Sequence, residues 1–409
     1  MAKFKIELKQ HTPLIHFQSE QPGAILRATE VKPKLDRFLI ECAFNNEFNE
    51  YKQYLIGYKT GKKEYDFKDK KAFDYRLKIY MEHPNKIKKI DINKSMKKLY
   101  FASGFEGEKI NGVFTNEYII LEFFTFHKVL IDRIKKYIEK FFCFNNFGTR
   151  QNKGFGSFYI NKDLKSQNNI SEEYFDYKIE VFNNKKNSPV LWNDVFREIN
   201  KLWENIRSVE SDTTPYIKEF AKTKGIIWDK DIIRDKFVNN KKKLVENKYL
   251  IKDLLGLSVE ESWKDRYGKW FNIKKEHISG TSDIKIDRME SPIFFKPLKD
   301  EQNNFIVYIK VKDMPKEFWN QKFKITKWIE KKKIGCIQLI TPTQEEFNIH
   351  EFFEFVKTNE NIKYTTKKRN RLSQSALSYK VQNFSKNEFL SSIEAAIDGE
   401  TKEKLKNIK

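Results

Sequence analysis

Polar and apolar residues alternate from Lys3 to Lys9, the pattern of a strand buried on one face. Thr12-Pro13 then breaks the run, and a loop closes at Pro22-Gly23. Between Leu26 and Ala43 the residues Leu35, Phe38, Leu39 and Cys42 share one helical face. Pro33 fits a helix only near its first turn, so the regular helix is predicted from about Lys32. Residues 45–80 are polar and aromatic, with Gly57 and Gly61 marking a hairpin or an inserted loop, and Tyr75 to Tyr80 alternates like a strand. Tyr118 to Phe126 reads as a well-buried strand. Leu130, Ile131, Ile134, Ile138, Phe141 and Phe142 then recur at spacings of three and four, which predicts an amphipathic helix. A glycine-rich turn, Gly148 to Gly156, leads into a last strand, Phe155 to Ile160.

That order, strand–helix–strands–helix–strand, is the order of a ferredoxin-like α+β unit with insertions. The polar stretch Asn161 to Asn169 reads as a linker. A second unit follows. Tyr177 to Phe182 alternates, and Pro189 opens a helix with Trp192, Val195, Phe196, Ile199, Leu202, Trp203 and Ile206 on one stripe. Residues 212–250 are helix-prone and basic, and Leu254-Leu255-Gly256-Leu257 ends a helix. Ser291 to Phe295 and Asn304 to Val311 look like paired strands. The expected organisation is α+β, with domains over 1–165 and 170–345 and a charged C-terminal segment over 346–409. That segment carries the basic cluster Lys367-Lys368-Arg369-Asn370-Arg371 and is expected to be mobile without a partner.

Composition narrows the partners. Lys and Arg outnumber Asp and Glu by 79 to 57, a net charge of +22, which suits a polyanion or an anionic membrane surface. No apolar run reaches the roughly 18 residues of a spanning helix. The N-terminus shows no apolar stretch of signal-peptide type, so a cytosolic protein is expected. Cys42, Cys143 and Cys336 lie too far apart for a CxxC pair or a disulfide framework, and core packing is expected of each. His11 and His16 flank Pro13 and do not form a helical metal pair, so no structural zinc is expected.

The candidate chemistry gathers at two segments. In Gly148-Thr149-Arg150-Gln151-Asn152-Lys153-Gly154-Phe155-Gly156 the glycines permit positive φ and close approach, and successive amides can form an anion nest. Arg150 and Lys153 add charge where a phosphate would sit. The alternative is a helix C-cap followed by a strand that needs glycines for packing. The turn is not a Walker loop, because no Lys-Ser or Lys-Thr follows the last glycine. Nor is it a dinucleotide fingerprint, since position 159 is Tyr. Lys153 to Gly156 matches the start of an RNP1 motif, and the match ends at Ser157. The second segment, Arg27 to Phe38, brings Arg27, Lys32, Lys34 and Arg37 to the start of the first helix, where dipole and free amides favour phosphate. A solvated charged face is the plainer alternative. In a ferredoxin-like unit these two basic segments can converge. A third, weaker stretch is Arg288 to Lys296, with Ser291-Pro292 at a strand start.

With Thr12-Pro13-Leu14 after the first strand, the basic Arg27–Phe38 segment, the Gly148–Ser157 turn, Leu255-Gly256-Leu257, and Arg288 with Ser291-Pro292-Ile293, the chain resembles the RAMP proteins of CRISPR–Cas systems. The nearest likeness is to the first, two-domain subunit of the type III-B Cmr effector complex. The resemblance implies two tandem ferredoxin-like (RRM-like) domains with helical insertions. It implies a non-catalytic, RNA-contacting subunit of an antiviral ribonucleoprotein, with guide RNA, target RNA and other effector subunits as partners and no cofactor. The residues expected to touch RNA are Arg27, Lys32, Lys34, Arg37, Gly148, Arg150, Lys153, Gly154, Gly156 and Arg288.

The rival expectation is a metal-independent endoribonuclease that trims guide RNA. It needs a general base and a cation, for which His16 with Arg27 or Lys32 is the candidate. Asp283 and Asp287 supply too few oxygen ligands for a metal site. A DNA-binding or chromosomal protein is a third class, and no helix-turn-helix or zinc pattern accompanies the charge.

Overall fold

The computed structural model describes residues 1–16, 25–67, 71–92, 111–161, 172–182, 190–207, 214–239, 249–278, 285–299, 304–365 and 368–372. Two four-stranded antiparallel sheets organise it. In the first, β1 (Ala2–Gln10) lies between β6 (Ile119–Thr125) and β7 (Phe158–Ile160), and β3 (Arg76–Tyr80) pairs with the far edge of β6. The alternation read from Lys3 to Lys9 sets the register, with Lys5 opposite Glu122 and Ile6 opposite Leu121. Helices α1 (Ala28–Cys42) and α2 (Lys128–Phe144) contribute Leu35, Leu39, Ile134 and Ile138 to the same core as Leu8, Leu121 and Phe123 of the sheet.

In the second sheet, β8 (Tyr177–Val181) lies between β12 (Phe305–Val311) and the short β15 (Lys363–Tyr364), and β11 (Ile293–Lys299) pairs outside β12. Helix α3 (Trp192–Arg207) buries Val195, Phe196, Ile199, Leu202, Trp203 and Ile206 of the expected stripe, and Trp192, its first residue, is half-buried. Helices α4 (Tyr216–Thr223) and α5 (Asp229–Phe237) follow, and α6 (Ile349–Asn359) buries Phe352, Phe353 and Val356. Numbered within each unit, both sheets run in the order second, third, first, fourth strand.

Two further sheets flank these. The small one joins β2 (Leu14–Ile15), β5 (Asn111–Phe114) and β4 (Lys88–Asp91). The larger one joins β9 (Glu260–Lys264), β10 (Trp270–His277), β13 (Lys322–Ile329) and β14 (Lys332–Ile340).

Five expectations change. Helix α1 begins at Ala28, so Pro33 lies inside it rather than in its first turn. The carbonyl that Pro33 leaves without an amide belongs to Thr29, which is exposed to solvent. The strand expected from Phe155 starts at Phe158, because the left-handed Gly154 and Gly156 keep the chain turning. Leu254-Leu255 ends only a single turn of 3-10 helix, Lys252–Leu255. The boundary at 345 falls inside the second unit, since α6 and β15 complete its core and sheet. Finally, Cys336 is exposed and only Cys143 is fully buried. Lys367, most of the linker and residues 373–409 lie outside the described residues.

Candidate nucleic-acid interface

The glycine-rich turn is built from both sides by backbone. Thr12 Oγ1 donates to the Gly154 carbonyl at 2.6 Å and accepts from the Ser157 amide at 2.9 Å. The Gly156 amide donates to the Pro13 carbonyl at 2.8 Å, and the Thr149 amide to Ile15 at 2.8 Å. Gly148, Arg150, Gly154 and Gly156 all adopt positive φ. A Cβ on Gly156 would collide with the Phe147 carbonyl, and one on Gly148 with the Ile15 carbonyl. These glycines are required because protein backbone approaches them.

The first helix reaches the same turn. Glu30 accepts from the Gly148 amide at 2.6 Å. Lys34 Nζ donates to Gln151 Oε1 at 2.6 Å and to the Asn146 carbonyl at 3.2 Å. The expected convergence of the two basic segments is therefore realised through direct hydrogen bonds, while Lys34 also pairs with Glu30 along the helix at 3.5 Å. Arg37 continues the Glu30–Lys34 stripe at the next helical step and is exposed. Burial is the first cause of the lowered pKa of Lys34, and Arg37 adds to it. Arg150 is half-buried, and burial also lowers its pKa. Lys32 points elsewhere, donating to Asp36 at 2.7 Å and to the Phe73 carbonyl at 2.8 Å. Arg27 precedes α1 and is half-buried.

On its other side the turn is embedded in the second unit. Phe155 stacks on Phe196 of α3 with ring centroids 3.9 Å apart. A Cβ on Gly154 would come within 2.8 Å of Pro297 Cγ on β11. Lys153 lies over the Trp203 ring, where burial first and Arg207 second push its amine well below the usual lysine range. Asn152 Nδ2 donates to Glu290 and to the Ser291 carbonyl at 3.3 Å each, which places the exposed Arg288 segment beside the turn.

The last residue of the third stretch, not among the expected RNA contacts, locks the junction. Lys296 of β11 is fully buried, and its Nζ donates to the Asn145 carbonyl, Asn146 Oδ1 and the Phe158 carbonyl at 2.9–3.1 Å. All three acceptors are neutral, so burial lowers its pKa to about 7. A lysine within the otherwise apolar run Ile293 to Leu298 was the signal for it.

The nuclease candidate His16 is only 7% exposed. Burial first, and Arg27 second, lower its pKa. Among the described residues no group of three or more His, Cys, Asp or Glu is arranged to hold a metal. Asp283 lies outside those residues, and Asp287 pairs with Lys285 at 3.0 Å. Among the described residues no helix is long and apolar enough to cross a membrane.

Two family models together span nearly the whole chain: residues 1–209 match the Cmr1 N-terminal domain and residues 213–409 the Cmr1 C-terminal domain. The chain belongs to the Cmr1 family. A crystal structure of apo Cmr1 from Pyrococcus furiosus is similar at 12% identity and a TM-score of 0.42, covering 89% of this chain and 99% of that one. No curated protein matches in sequence. As a Cmr1-family protein the chain is a RAMP-type subunit of type III-B CRISPR effectors. The family division at 209–213 assigns β8 and α3 to the N-terminal model, although β8 pairs with β12 and α3 packs in the second core. The region matched by the N-terminal model thus supplies one of the two inner strands of the second sheet.

Proposed function

We propose that this Cmr1-family chain is a non-catalytic subunit that holds guide or target RNA in the cytoplasm for antiviral defence, alongside other type III-B subunits. Each unit is read as ferredoxin-like, a reading supported by the shared strand order and by helices that follow the first strand and the third strand in both sheets, with α4 and α5 as additions in the second. One observation carries the RNA reading. Hydrogen bonds join α1, the glycine-rich turn and the Arg288 segment, from Gly148 to Glu30, Lys34 to Gln151 and Asn152 to Ser291, and the reading assigns RNA contact to Arg37, Arg150 and Arg288 of those three segments. Guanidinium forks suit phosphate. Lys34 and Lys153 act beneath the proposed surface, holding the turn in place. The glycines set the shape of the backbone.

The test is RNA binding by the Arg37→Ala, Arg150→Ala double variant at several salt concentrations. Affinity should fall, and the log–log salt slope should shrink by roughly 0.7 for each phosphate that the variant no longer neutralises. An unchanged slope and affinity would reject the surface.

A second reading, metal-independent cleavage, rests on His16, whose lowered pKa leaves a neutral imidazole near a guanidinium. Specific cleavage of repeat RNA in EDTA, abolished by His16→Ala, would replace the binding-only reading.

A further inference from the structure

The sheet β9–β10–β13–β14 has one core face and one open face. Phe271, Ile273, Phe323 and Ile325 point into the core, so the alternate residues point outward. Trp270, on the outward face, is 60% exposed. Asn272 stands opposite Trp328, so Trp270 and Trp328 are diagonal neighbours on adjacent strands, about 7–8 Å apart. The two indoles line one shallow open cleft of about 390 Å³. Lysines surround it. Lys264 is opposite Trp270, with its Nζ 4.5 Å from the ring centroid, and Lys333 is opposite Trp328. Lys274 and Lys331 line the cleft, together with Glu260 and Glu330.

An exposed tryptophan beside the half-buried Trp328, set among lysines, discriminates between partners. Protein interfaces deplete lysine, whereas single-stranded nucleic-acid sites combine cationic tracking of the backbone with bases stacked on aromatic rings. We propose that this open face is a second single-stranded RNA subsite, in which bases stack on Trp270 and Trp328 while Lys264, Lys274 and Lys333 track the phosphates. It shares with the proposed function only the class of ligand, and it lies on a different sheet from the glycine-rich turn.

The experiment measures binding of a fluorescent, unstructured 25-nucleotide oligouridine to the full chain by anisotropy. A 4-thiouridine version is photo-crosslinked and its attachment sites are mapped. Trp270→Ala should weaken binding about fivefold or more, the loss of one stacked base. Trp270→Phe should restore most of it, and crosslinks should fall within residues 265–275. Because Trp270 is largely exposed, its truncation should leave the melting temperature unchanged; Lys264→Glu with Lys333→Glu provides an independent second variant, expected to lower both affinity and salt slope. Affinity within twofold of wild type in both variants, with no crosslink in the sheet, overturns the subsite. The Arg37→Ala, Arg150→Ala variant separates the two proposals. Loss there with none at Trp270 rejects this subsite alone. Loss at Trp270 with none there supports this subsite and rejects the first surface.

Discussion

Gly156 shows how much one missing Cβ can decide. It holds φ +63 with the Phe147 carbonyl directly against it. Gly156→Ala should therefore cost about 2 kcal/mol or more, combining the roughly 1–2 kcal/mol left-handed penalty with displacement of the carbonyl, as measured by chemical denaturation. The clustering of glycines was plain in the sequence. Their purpose was not, because apart from Phe147 the groups that approach them, from Pro13 and Ile15 to Pro297, lie far away along the chain. Lys296 gives a pH signature. Its folded pKa of about 7 lies below the 10.5 of an unperturbed lysine. Between those values the unfolded chain binds the proton and the folded one does not, so stability should rise with pH across that window. Lys296→Met should flatten the rise, as read from urea unfolding at pH 7 and pH 9.5. Asp229 has the opposite sign. Burial and then Asp253 raise its pKa from 3.8 to about 7, so its contribution falls as pH climbs between those values.

Helix α1 is joined to the turn by a few polar contacts. Truncating Lys34 to Met leaves Gln151 and the Asn146 carbonyl short of a donor and should cost about 1 kcal/mol. A double-mutant cycle with Gln151→Ala should show coupling, since the two side chains bond directly. Elements with clean periodicity, such as β1, α2 and α3, were legible from sequence. The β9–β10–β13–β14 sheet was not. Its inward positions include Lys275, buried and paired with Asp253 and Glu261, and its outward ones include Trp270. Charge inside and tryptophan outside erase the alternation on which a strand prediction depends.

For the molecule as a whole, the charge of +22 points to a polyanion as partner but not to any one surface. The surface proposed from α1, the turn and the Arg288 segment draws on residues from 30 to 291, so only its two N-terminal parts were visible as local clusters. The C-terminal limit of the second unit was hidden for a similar reason. A charged stretch conceals α6, whose Phe352, Phe353 and Val356 close the core. A chain ending at residue 345 should therefore lose the cooperative unfolding of the second unit that the full chain shows, measurable by calorimetry.

The position of β8 has a consequence for synthesis. Glu180 at the end of β8 meets Lys363 of β15 across 183 residues of chain. At translation rates of roughly 5–20 residues per second, that strand emerges from the ribosome some 10–40 s before its last neighbour exists. The first sheet needs nothing beyond residue 160 to complete its strands. The nascent second unit must keep an open strand edge and the apolar stripe of α3 out of wrong pairings for that interval, so slowing elongation late in the message should lower soluble yield more than slowing it early.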